Sequence, residues 1–212
     1  MNIISAKTPE LAKYILPNYI WDIKTDKKEL YLTFDDGPTE DITAWVLDIL
    51  NEYSAKATFF CIGKNIAKHP EIFESILAEN HAIGNHTLNH KNGWQTNIED
   101  YLIEVEKCQE MIKKLSSNKT QLFRPPYGKI TLSQSKRLRG LGYKIVMWDV
   151  LSFDWQANLE AENCYTNVKQ NAAPGSIIVF HDSIKAANNM KYVLPKTLKY
   201  FSEKGYTFKA LP

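Results

Sequence analysis

The sequence predicts an α/β fold in a single domain, with parallel strands wrapped into a complete or partial barrel. Three observations carry that expectation. Seven short apolar runs, at residues 30–34, 58–61, 82–84, 122–123, 144–148, 177–180 and 206–211, are separated mostly by stretches with helical spacing. Strands alternating with helices pair in parallel through helical crossovers. Ionisable side chains fall at consecutive strand ends: Asp35 and Asp36 after the first run, His86 after the third, Arg124 after the fourth, Asp149 after the fifth and His181 after the sixth. Parallel barrels gather such residues on one face. Finally, 212 residues without a repeat, low-complexity tract or linker suit one domain. The same alternation fits an open doubly wound sheet, so the pattern alone leaves the two architectures side by side.

The elements follow in order. Residues 1–28 do not fit the repeat; they are expected to form an N-terminal cap or an extra hairpin with its turn at 24–28, ahead of the main domain at 29–212. Ile42, Trp45, Val46, Ile49, Leu50 and Tyr53 recur every three or four residues and so share one helical face. Ile98, Leu102, Val105, Ile112 and Leu115 do the same. Asn80 closes the helix carrying Ile76 and Leu77, because Asn tolerates left-handed backbone. Leu194, Leu198 and Phe201 continue a last apolar face up to Gly205, a natural stop.

Composition narrows the function classes. Hydrophobic residues are 44% and charged residues 24%, which is globular rather than disordered. A net charge of +2 with dispersed lysines argues against a nucleic-acid partner. No segment approaches the roughly 20 apolar residues of a membrane span. Cys61, Cys108 and Cys164 are odd in number, far apart and without a CxxC, so free thiols in a reducing compartment are expected. The N-terminus lacks a secretory pattern, which points to the cytoplasm. A secreted chain trimmed of its export signal would read the same.

The polar segments carry the chemistry. In TFDDGP, residues 33–38, both aspartates can serve one site only if the strand ends there and the chain turns, and Gly37 and Pro38 supply a turn. A helix N-cap or solvated turn is the plain alternative. In NHTLNH, residues 85–90, His86 and His90 are four apart and share a face if the stretch is a helical turn, a spacing that lets two imidazoles bind one divalent metal. Two surface histidines are the commoner meaning of that spacing alone. His69 and His81 fall outside the constellation and read as structural. In FRPPYG, residues 123–128, a rigid Arg124 can hold a carboxylate by paired hydrogen bonds. WDVLSFDW, residues 148–155, brings two aspartates and two tryptophans to a strand end, and VFHD, residues 179–182, ends a buried strand with His181.

With these segments quoted, the chain resembles the polysaccharide deacetylases of carbohydrate esterase family 4 over about residues 30–211. TFDDGP, HTLNH, RPPYG, the DW segment and VFH match that family's five motifs in order. The resemblance implies a distorted seven-stranded (β/α) barrel and a metal-dependent hydrolase acting on N-acetylated glycans such as peptidoglycan or chitin oligomers. It implies Asp35 as general base, with Asp36, His86 and His90 holding a divalent metal, most simply zinc, with cobalt or nickel as alternatives. Arg124 would tune Asp35. The backbone N–H of Tyr127 would steady an oxyanion. Asp154 would orient His181, the general acid, and Asp149 is an alternative for that partner. Trp155 and Val179 would line the pocket for the acetyl methyl; Val179 stands where the family usually has Leu. Relatives on the same barrel hydrolyse acetyl esters on xylan or cyclic amides, and those are the competing activities.

Overall fold

The computed structural model describes residues 5–116 and 121–212; the first four residues of the expected N-terminal segment lie outside them. Strand β1 (Glu29–Asp35) is central. It pairs in parallel with β2 (Ala57–Cys61) on one side and β7 (Ile177–His181) on the other. Beyond β2 lie β3 (Ala82–Asn85), β4 (Leu122–Phe123) and β5 (Lys144–Ile145), and beyond β7 lies β6 (Val150–Leu151). The order is therefore β5-β4-β3-β2-β1-β7-β6, all parallel, with β8 (Thr207–Phe208) paired to the start of β1 off this path.

All seven expected runs contain strand. The run at 144–148 is corrected in detail. It stops at Ile145, and a further two-residue strand, β6, follows at Val150. Asp149 thus lies between β5 and β6 rather than just after a strand. This short connection decides the architecture. β5 and β6 are opposite ends of the seven-strand path, yet Ile145 and Val150 are five residues apart, a reach of at most about 18 Å. The sheet must curl until its edges nearly meet. The fold is a distorted (β/α) barrel and not an open doubly wound sheet.

Strand β1 is buried on both faces, as a parallel sheet covered by helices requires. Leu30, Leu32 and Phe34 point into the layer beneath α2 (Ile42–Glu52) and α8 (Ala187–Glu203), where they join Val46, Leu50 and Leu194. Phe34 stacks between Phe59 and Phe180, with ring centroids 5.0 and 5.9 Å away. Tyr31 joins a separate interior cluster with Phe60, Val146 and Ile177. The expected helical faces are present in α2, in α5 (Ile98–Leu115) and in α8, which stops before Gly205 at φ +77°. Asn80 takes φ +60° after α4 (Pro70–Ala78). No helix among the described residues is long and apolar enough to cross a membrane.

The N-terminal segment is not a hairpin. It straps the gap between the sheet edges. Ile20 accepts from Met147 N–H and donates to Ile145 O, both at 2.8 Å, along the β5 side. Ala6 accepts from Leu151 N–H, and Thr8 donates to Asp149 O, both at 2.8 Å, along the β6 side. Both edges are thereby covered, which removes open pairing sites. Asp22 bridges Ser176 in the antiparallel sense, and residues 24–28 only lead into β1. An ionic cluster fixes the strap: Asp149 accepts from Lys7 Nζ at 2.6 Å, Lys13 Nζ at 2.8 Å and Ser176 Oγ at 2.6 Å.

Asp149 is nearly buried, so replacing it by Ala leaves two ammonium groups facing each other without their shared acceptor. Asp149→Ala is expected to cost about 2–4 kcal/mol in urea unfolding. Lys24→Ala, at a side chain 91% exposed, should stay within about 0.5 kcal/mol.

Candidate active site

The site forms where β1 and β7 end side by side, with Asp35 opposite His181 in the sheet register. Asp36 follows with φ +80°, a left-handed conformation that turns its carboxylate away from the strand alternation. Two long-range contacts hold that turn. Asn65 Nδ2 donates to Asp36 O at 2.6 Å. Asp182 accepts from Gly37 N–H at 3.1 Å and from Thr43 Oγ1 at 2.5 Å. A Cβ on Gly37 would lie 2.0 Å from Asp182 Oδ2, so glycine is the residue that fits this approach. Burial pushes the Asp182 carboxyl up to about 8, against the Thr43 hydrogen bond, and the nearby Asp36 charge adds to the rise.

His86 and His90 come together, but not through a helical turn. β3 ends at Asn85, and the loop carries left-handed Thr87 (φ +64°) and His90 (φ +56°). These two backbone reversals bring the imidazoles to 5.0 Å between ring centroids. Asp36 Oδ1 lies 3.7 Å from His86 Nε2 and 3.2 Å from His90 Nε2. His86 Nδ1 is 2.8 Å from the carbonyl of Arg124, which can only accept, so that nitrogen bears the proton and Nε2 keeps its lone pair. Burial pushes His86 down and His90 to about 4, the latter helped by His86, so both rings are neutral at pH 7.

The donor set fits a divalent metal. Asp36 Oδ1 is buried and has no hydrogen-bond partner, a costly state for a carboxylate oxygen unless a cation meets it. One carboxylate oxygen and two imidazole nitrogens, all within 4.8 Å of one another, match the three protein ligands of an open zinc-type centre.

Arg124 is fully buried and holds the other aspartate. Its Nη1 donates to Asp35 Oδ1 and to Thr33 Oγ1, each at 2.7 Å, and its Nη2 to Met147 O at 2.7 Å. The expected pair of hydrogen bonds to the carboxylate is thus a single one, because Nη2 is taken by the backbone beyond β5. Burial would raise the Asp35 carboxyl; the Arg124 guanidinium, by charge and hydrogen bond, with the charge of His181, outweighs it and holds it below the ordinary carboxylate range.

At the end of β7, Asp154 is the partner of His181. One Asp154 oxygen lies 2.8 Å from His181 Nδ1, and the other accepts the His181 backbone N–H at 2.7 Å. Asp149, the alternative, is engaged in the strap. Burial alone would lower His181; the Asp154 carboxylate overrides it and raises the imidazole to about 9. Opposite tuning therefore acts on the two sides: a carboxylate kept ionised and an imidazole kept protonated.

Both groups open into a cleft of about 730 Å³. Trp155 lines it and packs edge-on to His181 at 4.7 Å. Val179, nearly buried, forms an apolar wall with Leu151. Tyr127 is 62% exposed at the rim, and its hydroxyl lies 3.1 Å from His90 Nδ1. The Tyr127 backbone sits at φ +60°, and its N–H makes no hydrogen bond among the described residues. His81 is structural, accepting the Ala57 N–H at Nδ1. His69 does border the cleft, and it occupies the N-cap position of α4 without a side-chain cap hydrogen bond. Asn65 lies outside every motif, whereas Thr33 in TFDDGP, Leu151 in WDVLSFDW and Asp182 in VFHD lie inside motifs that assign them no role; for Asp182 the signal is its position next to His181.

A family model described as polysaccharide deacetylase matches residues 22–146. A peptidoglycan-N-acetylglucosamine deacetylase of Bacillus cereus is 36% identical over 188 residues, covering 88% of this chain and 68% of that protein. A chitooligosaccharide deacetylase of Azorhizobium caulinodans is 35% identical over 161 residues, 76% of each. A crystal structure of a peptidoglycan N-acetylglucosamine deacetylase, in complex with 4-naphthalen-1-yl-N-oxidanyl-benzamide, matches with TM-score 0.89 at 34% identity, covering 97% of this chain and 95% of that one.

Removing one member of the buried Arg124–Asp35 pair strands the other. Arg124→Met is expected to destabilise by about 3–5 kcal/mol in denaturant titration. The double variant Arg124→Met with Asp35→Leu should recover much of that loss, because no uncompensated charge remains. An equal or larger loss in the double variant would contradict the pairing.

Proposed function

This chain belongs to the polysaccharide deacetylase family, and from that premise we propose that it is a metal-dependent hydrolase removing acetyl groups from N-acetylated sugars. What supports the reading is that Asp35, bound by Arg124, and His181, bound by Asp154, share one cleft with the Asp36–His86–His90 donor set. An amide is a poor electrophile and its amine a poor leaving group, so hydrolysis needs a proton taken at one end and given at the other.

Asp36, His86 and His90 would hold the metal, with zinc favoured by the donor set and cobalt or nickel accommodated. When bound, such an ion supplies Lewis-acid polarisation and makes water easier to deprotonate. Asp35 accepts the proton of the attacking water. Arg124 keeps Asp35 anionic beforehand, so the base is ready at neutral pH. The unengaged N–H of Tyr127 is free to donate to the oxyanion that develops on the acetyl carbonyl; losing such a donor typically costs about 10² to 10³ in rate. His181 gives its proton to the departing sugar nitrogen, while Asp154 keeps the ring oriented and stabilises its charge. Trp155 and Val179 enclose the acetyl methyl. The products are acetate and a free amino sugar.

Acetate release from N-acetylated oligosaccharides by metal-loaded protein is the direct test. Wild type should bind one divalent ion per chain by elemental analysis. His86→Ala and His90→Ala should lose both ion and turnover. Asp35→Asn should keep the ion yet lose about 10²–10⁴-fold in kcat. Metal-free protein that turns over at the full rate would overturn the reading.

The pH profile follows from the two shifts. Asp35 is depressed and stays ionised through the neutral range, whereas His181 is protonated below about 9 and loses its proton above it. kcat/KM should therefore be level near neutral pH and fall as pH rises through about 9. Asp154→Asn removes the charge that raises His181 and leaves burial to dominate. The alkaline fall should then move down from about 9.

A further inference from the structure

Of the three side chains in the Asp36–His86–His90 set, His90 has the least support of its own. His86 follows the end of β3, and its ring is held by the Arg124 carbonyl. Asp36 is fixed by Asn65 at its carbonyl and by Asp182 at the next residue. Outside the donor set, the one hydrogen-bond partner of the His90 ring among the described residues is the hydroxyl of Tyr127, a side chain at the exposed rim. The His90 backbone is left-handed at φ +56°, and so is that of Thr87 at φ +64°, a β-branched residue for which that region is crowded. Such residues cost on the order of 1–3 kcal/mol each and persist only where the surrounding structure over-determines them.

Two helices supply that constraint. At the start of α3 (Gly63–Lys68), the Gly63 and Lys64 N–H groups donate to Thr87 O and Leu88 O, each at 3.0 Å. In α5, Glu104 takes the residues just before His90. Its main-chain carbonyl accepts from Leu88 N–H at 2.9 Å, its Oε2 from Asn89 N–H at 2.8 Å and its Oε1 from Asn89 Nδ2 at 2.7 Å. All three acceptors of one residue are thus spent on Leu88 and Asn89. A carboxylate presents two acceptors and no donor, which is what two facing N–H groups require. Glu104 is not among the residues lining the cleft, so its hold on the site runs through the loop alone.

We propose that Glu104 is a positioning residue for the metal: by clamping Asn89 it holds the His90 backbone in its left-handed turn and so keeps the second imidazole beside Asp36 and His86. The proposal rests on the metal-dependent reading above and adds to it a residue outside every motif. Loss of a supporting group of this kind weakens metal binding by about 10- to 100-fold, because the ligand must then be ordered at the moment of binding.

The test is zinc affinity, read by competition with a chromophoric chelator well below the melting temperature of each metal-free protein. Glu104→Ala should weaken zinc roughly 10- to 100-fold. Asn89→Asp sets two carboxylates face to face and should weaken zinc as well, even though it brings one more negative charge near the cation. The double variant Asn89→Asp with Glu104→Gln exchanges donor and acceptor across the same contact and keeps the summed charge of the wild type. The glutamine amide then donates where the asparagine amide did, and most of the lost affinity should return. Wild-type zinc affinity in Glu104→Ala, with only the melting temperature of the metal-free protein lowered, would make the clamp merely structural and overturn the proposal. Tighter zinc binding in Asn89→Asp would assign the effect to charge instead of placement and overturn it equally, as would a double variant no better than Asn89→Asp. Wild-type protein that takes up no zinc sinks the metal-dependent reading itself, and the positioning role with it.

Discussion

One buried guanidinium ties the strand ends together. Arg124 has no exposure, so each of its donors must find an acceptor inside the protein. It finds Asp35 at the end of β1, Thr33 two residues earlier, and the Val146 and Met147 carbonyls just beyond β5. Its own carbonyl fixes the His86 ring. Asp35, one imidazole of the donor set and the seam of the barrel therefore share a single residue. Its cation also lies 4.2 Å from the face of Phe60, which packs the interior beneath it. Placing such a charge in a core is stable only when the anion opposite stays ionised, so the fold and the charge state of Asp35 depend on the same contact.

The other half of the site is built on the same logic with the signs exchanged. Asp154 has no exposure and gives both oxygens to His181, one to the ring and one to the backbone. The carboxylate is the fixed partner and the imidazole the tuned one. Between these halves, His86 and His90 are held neutral by burial. His86, His90 and His181 thus exist in two charge states within one cleft. The cause is the number and sign of neighbours that each ring meets, not a difference in depth.

What could be read from the chain alone was local. Strand ends followed by Asp, His or Arg are visible because each motif is contiguous. The apolar faces of α2, α5 and α8 are visible because their period is sustained over three or more turns. β6 has two residues and no period, and it exists because β7 offers it an edge. The loop that joins His86 to His90 turns on left-handed Thr87 and His90, where no glycine marks the reversal. The strap over the barrel seam depends on Asp149, more than a hundred residues from the lysines it binds. Asn65 and Asp182 act on the Asp36 turn from 29 and about 145 residues away, so nothing near that turn announces them.

One cleft holds a carboxylate and an imidazole in opposite charge states at neutral pH. Nuclear magnetic resonance of selectively labelled protein reads both directly. His181 should titrate near 9, with an imidazolium signature at pH 7, while the Asp35 carboxyl should remain ionised throughout the neutral range. A neutral His181 ring at pH 7, or an Asp35 carboxyl that protonates above the ordinary aspartate range, would contradict it.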